Sequence, residues 1–135
     1  MGALTGLKIL DFSTLLPGPY ATLMLGDMGA EIIKISSPDK PDIVADYPPY
    51  IEGTDITANQ AWLGRNKKNV FLNLKSEEGR EIVKKLVKEY DIIMEQFRPG
   101  VMDRLGLGYE DLKKINPKII YCSLTGYGQT GPMKN

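Results

Sequence analysis

Histidine is absent from all 135 residues. The commonest general base and the commonest neutral metal ligand are therefore missing, and the chain alone cannot run a Ser–His or Cys–His mechanism. Cys122 is the only cysteine, which excludes an internal disulfide and suits a reducing, cytoplasmic setting. It falls in the apolar run Ile119-Ile120-Tyr121-Cys122, so a packed core thiol is expected rather than a nucleophile. Seventeen basic and 17 acidic side chains cancel, which leaves no charge excess for nucleic acid or a membrane surface. Apolar runs are only a few residues long, too short to span a bilayer. The opening Met1-Gly2-Ala3-Leu4-Thr5-Gly6-Leu7-Lys8 has no basic stretch leading into an apolar core, so no signal peptide is expected.

What is present is ordinary globular material, 42% hydrophobic and 25% charged, enough for one domain with its own core. Strand-like and helix-like runs alternate. Leu7-Lys8-Ile9-Leu10-Asp11-Phe12 reads as a strand. Pro17-Gly18-Pro19 breaks it, and Pro19 suits the first turn of a helix through about Met28, ended by Gly29. Glu31-Ile32-Ile33-Lys34-Ile35 is a second strand, and residues 36–61, with their prolines, read as a long surface excursion of the kind that is functional or lies against a partner. Val70-Phe71-Leu72-Asn73-Leu74 alternates like a strand. Ser76 then caps a helix whose first turn carries Glu77 and Glu78 and whose apolar face is Ile82, Val83, Leu86, Val87 and Tyr90. Asp91-Ile92-Ile93-Met94 and residues 119–124 are further strands, separated by short helices over about 101–105 and 109–115. Such alternation implies parallel pairing in an α/β, Rossmann-like, doubly wound, mostly parallel sheet.

Gly126-Tyr127-Gly128-Gln129-Thr130-Gly131 matches the G-x-G-x-x-G pattern and follows a strand. The dinucleotide fingerprint also needs a helix opening at its third glycine and an acidic residue about 20 positions on. Pro132 stands where the helix would begin, so an NAD-binding domain is a minor alternative. Among carboxylates, Asp11 at a strand end has the best position for function, but structural capping is the expected role.

Several motifs occur in a characteristic order: the strand at 7–12, Pro17-Gly18-Pro19-Tyr20-Ala21-Thr22, Asp27-Met28-Gly29-Ala30-Glu31, Asn66-Lys67-Lys68, Leu72-Asn73-Leu74-Lys75, Phe97-Arg98-Pro99-Gly100-Val101 and residues 125–132. Together they resemble the N-terminal part of a class III CoA-transferase (CaiB/BaiF) superfamily member, a group that includes CoA-transferases and α-methylacyl-CoA racemases. The resemblance covers nearly the whole chain. It implies that residues 1–135 form the CoA-binding part of a large Rossmann-like domain. It also implies a longer enzyme that assembles as an interlocked homodimer, with acyl-CoA as substrate and no covalently bound cofactor. Racemases tend to carry P-G-P and transferases A-G-P, so Pro17 favours the racemase branch. A CoA-transferase is the alternative, and a non-catalytic CoA- or nucleotide-binding module a further one.

Carried over onto matching positions, the resemblance places Leu15, Leu16 and Pro17 in the turn against the CoA adenine and pantetheine. Leu72 and Lys75 would flank the nucleotide at a strand end, Lys75 as a mobile charge for a phosphate. Gln96, where the family commonly has Asn, keeps an amide. Phe97 offers an aromatic face, and Arg104, beside Leu105, a planar cation for phosphate or adenine. Ser36 and Ser37 stand near a position where some members use an arginine against the nucleotide. The family's catalytic Asp, which forms an acyl anhydride in transferases and works opposite a His in racemases, is expected beyond Asn135. No catalytic or metal-binding residue is therefore assigned within this chain.

Overall fold

The computed structural model describes residues 2–40 and 42–134. Its elements are β1 (Lys8–Asp11), α1 (Pro17–Asp27), β2 (Glu31–Ser36), α2 (Ala58–Gly64), β3 (Lys67–Phe71), α3 (Glu77–Val87), β4 (Ile92–Glu95), α4 (Val101–Arg104), α5 (Tyr109–Ile115) and β5 (Ile120–Ser123). The five strands form one sheet in the order β3-β2-β1-β4-β5, and every pair is parallel. Register runs Ile9↔Ile32 between β1 and β2, and Ile9↔Ile92 between β1 and β4. β1 is thus the central strand. The chain winds outward from it to β3 on one side, then returns to build β4 and β5 on the other.

Both faces of the sheet are covered, which is why its strands read as apolar runs rather than clean alternations. Successive residues of β1 point to opposite faces. Leu10 joins a core with Phe12, Val83, Val87, Ile93 and Leu112, while Ile9 joins a smaller cluster with Ala30 and Ile32, against which Leu25 packs. Both Ile9 and Leu10 are fully buried.

Helix ends follow local chemistry. Ser76 accepts the Gly79 N–H at 3.1 Å and caps α3. α1 closes at Gly29, whose φ of +102° lies in the left-handed region open to glycine. Among the described residues, no helix is long and apolar enough to cross a membrane.

Three expectations need correction. The third strand is Lys67–Phe71, not 70–74, because β2 pairs Ile32 with Lys67 and Ser36 with Phe71. Leu72 and Leu74 lie past its end: Leu72 still donates its N–H to the Ser36 carbonyl at 2.9 Å, and both pack, half-buried, on the core. The 36–61 excursion is not wholly loop: Thr57 and Gln60 form a reciprocal capping box that starts α2. Cys122 is half-buried, not packed away, because β5 is an edge strand.

Candidate functional site

A sheet wound outward from a central strand leaves a gap where the winding changes direction, and open α/β sheets take ligands there, at the carboxyl ends of the strands. Here that point lies between β1 and β4. The loop leaving β4 and the segment after β5 wall a crevice of about 600 Å³, lined by Pro17, Gln96, Phe97, Arg98, Leu124 and Tyr127, among others. Leu16, the residue that caps α1, has no side-chain oxygen for the orphan amides of the first turn. Gln96 supplies one from the neighbouring loop: its Oε1 accepts the Gly18 N–H at 3.1 Å. Gly18 admits this approach because a Cβ there would overlap the Ser13 side chain and come within 2.8 Å of Gln96 Oε1.

Beneath the 13–19 turn lies a buried polar network. Asp11 is fully buried at the end of β1. Its carboxylate accepts the Ser13 N–H at 2.9 Å, the Ser13 hydroxyl, and the Thr22 hydroxyl at 2.5 Å. Lys67 Nζ stands 3.5 Å from Asp11 Oδ2 and donates to the Pro19 carbonyl at 2.7 Å. Burial pushes the Lys67 ammonium below its ordinary pKa, and the Asp11 charge opposes that shift. Among the described residues no buried side-chain nitrogen or oxygen lacks a partner. Asp11 is therefore structural but does not cap the helix, whose N-cap is Leu16: its acceptor capacity is committed to Ser13, Thr22 and Lys67.

Of the nine residues assigned from sequence, Pro17, Gln96 and Phe97 line the one crevice. Leu15 and Leu16 precede Pro17 on the same turn, 40% and 47% exposed. Leu72 and Lys75 follow β3, two strand spacings or about 10 Å from β1 across the sheet; Leu72 is half-buried against the core and Lys75 exposed. Arg104 is exposed at the end of α4, while Leu105 packs on the core. The crevice wall thus gathers three of the nine, with two more on the adjoining turn.

A second crevice of about 350 Å³ opens beyond β2 and β3, with Lys34, Ser36, Ser37, Lys40, Asn69 and Phe71 in its wall. The serine pair therefore faces a cavity with lysines beside it. Among the described residues, no group of three or more His, Cys, Asp or Glu side chains is placed to hold a metal ion. After β5 the chain turns through residues 124–134 without a helix, so the G-x-G-x-x-G match lacks the helix a dinucleotide fingerprint needs within the described residues.

Sequence reasoning missed Lys67, Lys34 and Asp42. Lys34 donates to the Ser13 carbonyl at 2.6 Å, and Asp42 accepts the Leu15 N–H. The available signal was a lysine inside an otherwise apolar buried strand, Ile33-Lys34-Ile35, and another at the start of β3. A lysine so placed needs a partner.

Residues 4–135 match the model of CoA-transferase family III. A succinyl-CoA:glutarate CoA-transferase of Mus musculus is 46% identical over 135 residues, covering all of this chain and 31% of the relative's own length. An acetyl-CoA:oxalate CoA-transferase of Acetobacter aceti is 45% identical over 132 residues, 98% of this chain and 33% of that protein. Among solved structures, a CaiB/BaiF family protein from Brucella suis superposes with a TM-score of 0.90 at 40% identity, covering 98% of this chain and 36% of that one. The chain spans about a third of the length of these relatives. It belongs to CoA-transferase family III, and its parallel α/β sheet is the fold of the CaiB/BaiF neighbours.

Proposed function

We propose that the protein moves CoA between carboxylic acids and that residues 1–135 contribute the part that binds the CoA ester. One observation carries this reading: the crevice at the β1/β4 switch is lined by Pro17, Gln96 and Phe97, residues that the family resemblance assigns to CoA. The transferase names of the two relatives support transfer over racemisation. The preference for the racemase branch, drawn from Pro17, finds no support in them and remains the second reading.

In this reading the Leu15, Leu16 and Pro17 turn and the Phe97 ring meet the adenine and pantetheine. Lys75 and Arg104 offer exposed cations to the phosphates, and Leu72 and Leu105 shape the apolar floor on which these groups stand. The thioester chemistry, an anhydride at an aspartate followed by exchange of the thiol, falls to residues beyond Asn135. The substrate is acyl-CoA, the assembly an interlocked homodimer, and the setting cytoplasmic.

Calorimetry with CoA tests this reading. The protein is expected to bind CoA, and Arg104→Ala to weaken binding by about 1.5–3 kcal/mol, the range for a hydrogen bond to a charged group. Unchanged affinity in Arg104→Ala would remove that residue from the site. A protein that ignores CoA, or from which NAD displaces it, would overturn the reading as a whole.

A further inference from the structure

The segment between β2 and α2 reaches back to the turn that follows β1. Both carboxylate oxygens of Asp42 accept the Leu15 N–H at 3.1 Å. One of them also accepts the Val44 N–H at 3.2 Å, which fixes the carboxylate on its own loop. Lys34 Nζ stands 3.8 Å from the other, and the two side chains retain only 14% and 12% of their exposure. The same ammonium donates to the Ser13 carbonyl at 2.6 Å. A single ion pair therefore grips the turn at two points, residues 13 and 15.

The loop that carries Asp42 is itself anchored. Asn59 of α2 donates to the Val44 carbonyl at 2.9 Å, Thr57 donates to the Ala45 carbonyl, and Gln60 donates to Asp46 at 2.8 Å. Asp42 is thus presented from a braced segment and does not swing freely.

Leu15 has a φ of +62°. That left-handed region is unfavourable for a leucine, and such a residue persists only where its surroundings hold it. The charge-assisted bond from Asp42 is the contact that does so here. Its effect is to leave the Leu15 and Leu16 side chains 40% and 47% exposed at the mouth of the β1/β4 switch. Without it the turn is free to relax, and the ligand would have to order it on binding.

We propose that Asp42 is a positioning residue for acyl-CoA: it holds Leu15 in its left-handed conformation and so presents the 15–17 turn to the ligand. The inference rests on the reading that this turn meets CoA. It assigns Asp42, within the long proline-rich excursion, a role in binding that requires no contact between its side chain and the ligand.

The test pairs amide NMR with CoA calorimetry on the protein and on Asp42→Ala and Asp42→Asn. In the unmodified protein the Leu15 amide proton is expected downfield and slow to exchange, as befits an N–H held by a carboxylate. Asp42→Ala should move it upfield, speed its exchange and weaken CoA binding about tenfold. Asp42→Asn keeps an oxygen for the amide but not the charge. It should lose only about threefold, because neutral hydrogen bonds are roughly half as strong. If Asp42→Ala fails to fold, Asp42→Asn carries both measurements. An unchanged Leu15 amide in the variants overturns the clasp. A released amide with unchanged CoA affinity overturns the positioning role alone. An unmodified protein that does not bind CoA overturns the functional reading, and the positioning role with it.

Discussion

From the first residue of β3, the Lys67 side chain reaches Asp11 at the carboxyl end of β1, Nζ to Oδ2 at 3.5 Å, with side chains 2% and 0% exposed. Two strands separated by β2 are thereby joined through charge, directly under the turn that opens α1. The ammonium also holds the Pro19 carbonyl, so the pair fixes the entry of the helix as well as the end of β1 and the start of β3. Burial of two charges is a poor source of net stability, but removal of one partner strands the other in a medium that cannot solvate it.

Lys67→Met should therefore destabilise the fold by about 3 kcal/mol, the lower end of the range for a broken buried pair. The lower end applies because Asp11 keeps its bonds to Ser13 and Thr22. Adding Asp11→Asn to Lys67→Met should recover part of that loss, since no charge is then left unpaired. Denaturant midpoints at constant slope measure both. A Lys67→Met protein as stable as the parent would show that the pair does not anchor the edge.

Gly18→Ala should also be costly, for steric reasons. The added methyl would overlap the Ser13 side chain and press on Gln96 Oε1, and overpacking of this kind costs about 1–3 kcal/mol. Because Gln96 is both the cap of α1 and part of the crevice wall, CoA affinity should fall along with stability. Serine at position 13 exchanged for glycine in the same protein should relieve part of the effect. A neutral Gly18→Ala would mean that the loops after β1 and β4 are free to part.

Tyr90 sets an alkaline limit. Burial first, and then the Glu31 carboxylate that accepts its hydroxyl at 3.1 Å, push the phenol from its ordinary 10.0 up to about 12. Between those values the folded protein keeps a proton that the unfolded chain has released, so stability falls as pH rises through that window. Tyr90→Phe lacks the titrating group, and the difference between the two proteins isolates the effect from other tyrosines and lysines. Their unfolding free energies should converge as pH rises from about 10 towards about 12. A constant difference over that range would contradict the assignment.

The fold was legible in the sequence where burial on both faces left continuous apolar strands, and where caps were written in local chemistry, as at Ser76 and Gly29. Strand ends were less legible. Leu72 and Leu74 pack half-buried on the core past the last paired residue of β3, and apolar alternation does not separate packing from pairing. α2 lay within a proline-rich stretch, and only the Thr57 and Gln60 spacing marked it. At the site, residues on contiguous motifs, such as Pro17 and Phe97, were within reach of a sequence reading. The Lys67–Asp11 and Asp42–Leu15 contacts join positions 56 and 27 residues apart, and nothing local in the chain specifies which lysine or carboxylate closes such a distance.

The choice between transfer and racemisation turns on the α-proton of the acyl group. Racemisation removes and returns it, so a 2-methylacyl-CoA incubated in deuterium oxide must gain deuterium at that carbon. Transfer through an anhydride makes and breaks only carbonyl carbon–sulfur and carbonyl carbon–oxygen bonds, the carboxylate leaving as the thiolate returns, and leaves the α-carbon alone. The relatives with succinyl-CoA:glutarate and acetyl-CoA:oxalate transferase names favour the second course. Within residues 1–135, the absence of histidine removes the usual acid–base partner, and Asp11 is already held by Ser13, Thr22 and Lys67. On the proposed reading the protein is expected to move CoA from one carboxylic acid to another with no α-deuterium above the buffer background, and residues 1–135 alone to do neither. Mass spectrometry of the recovered thioesters reads both outcomes at once. Deuterium gain without CoA transfer would reverse the reading and restore the racemase branch that Pro17 suggests.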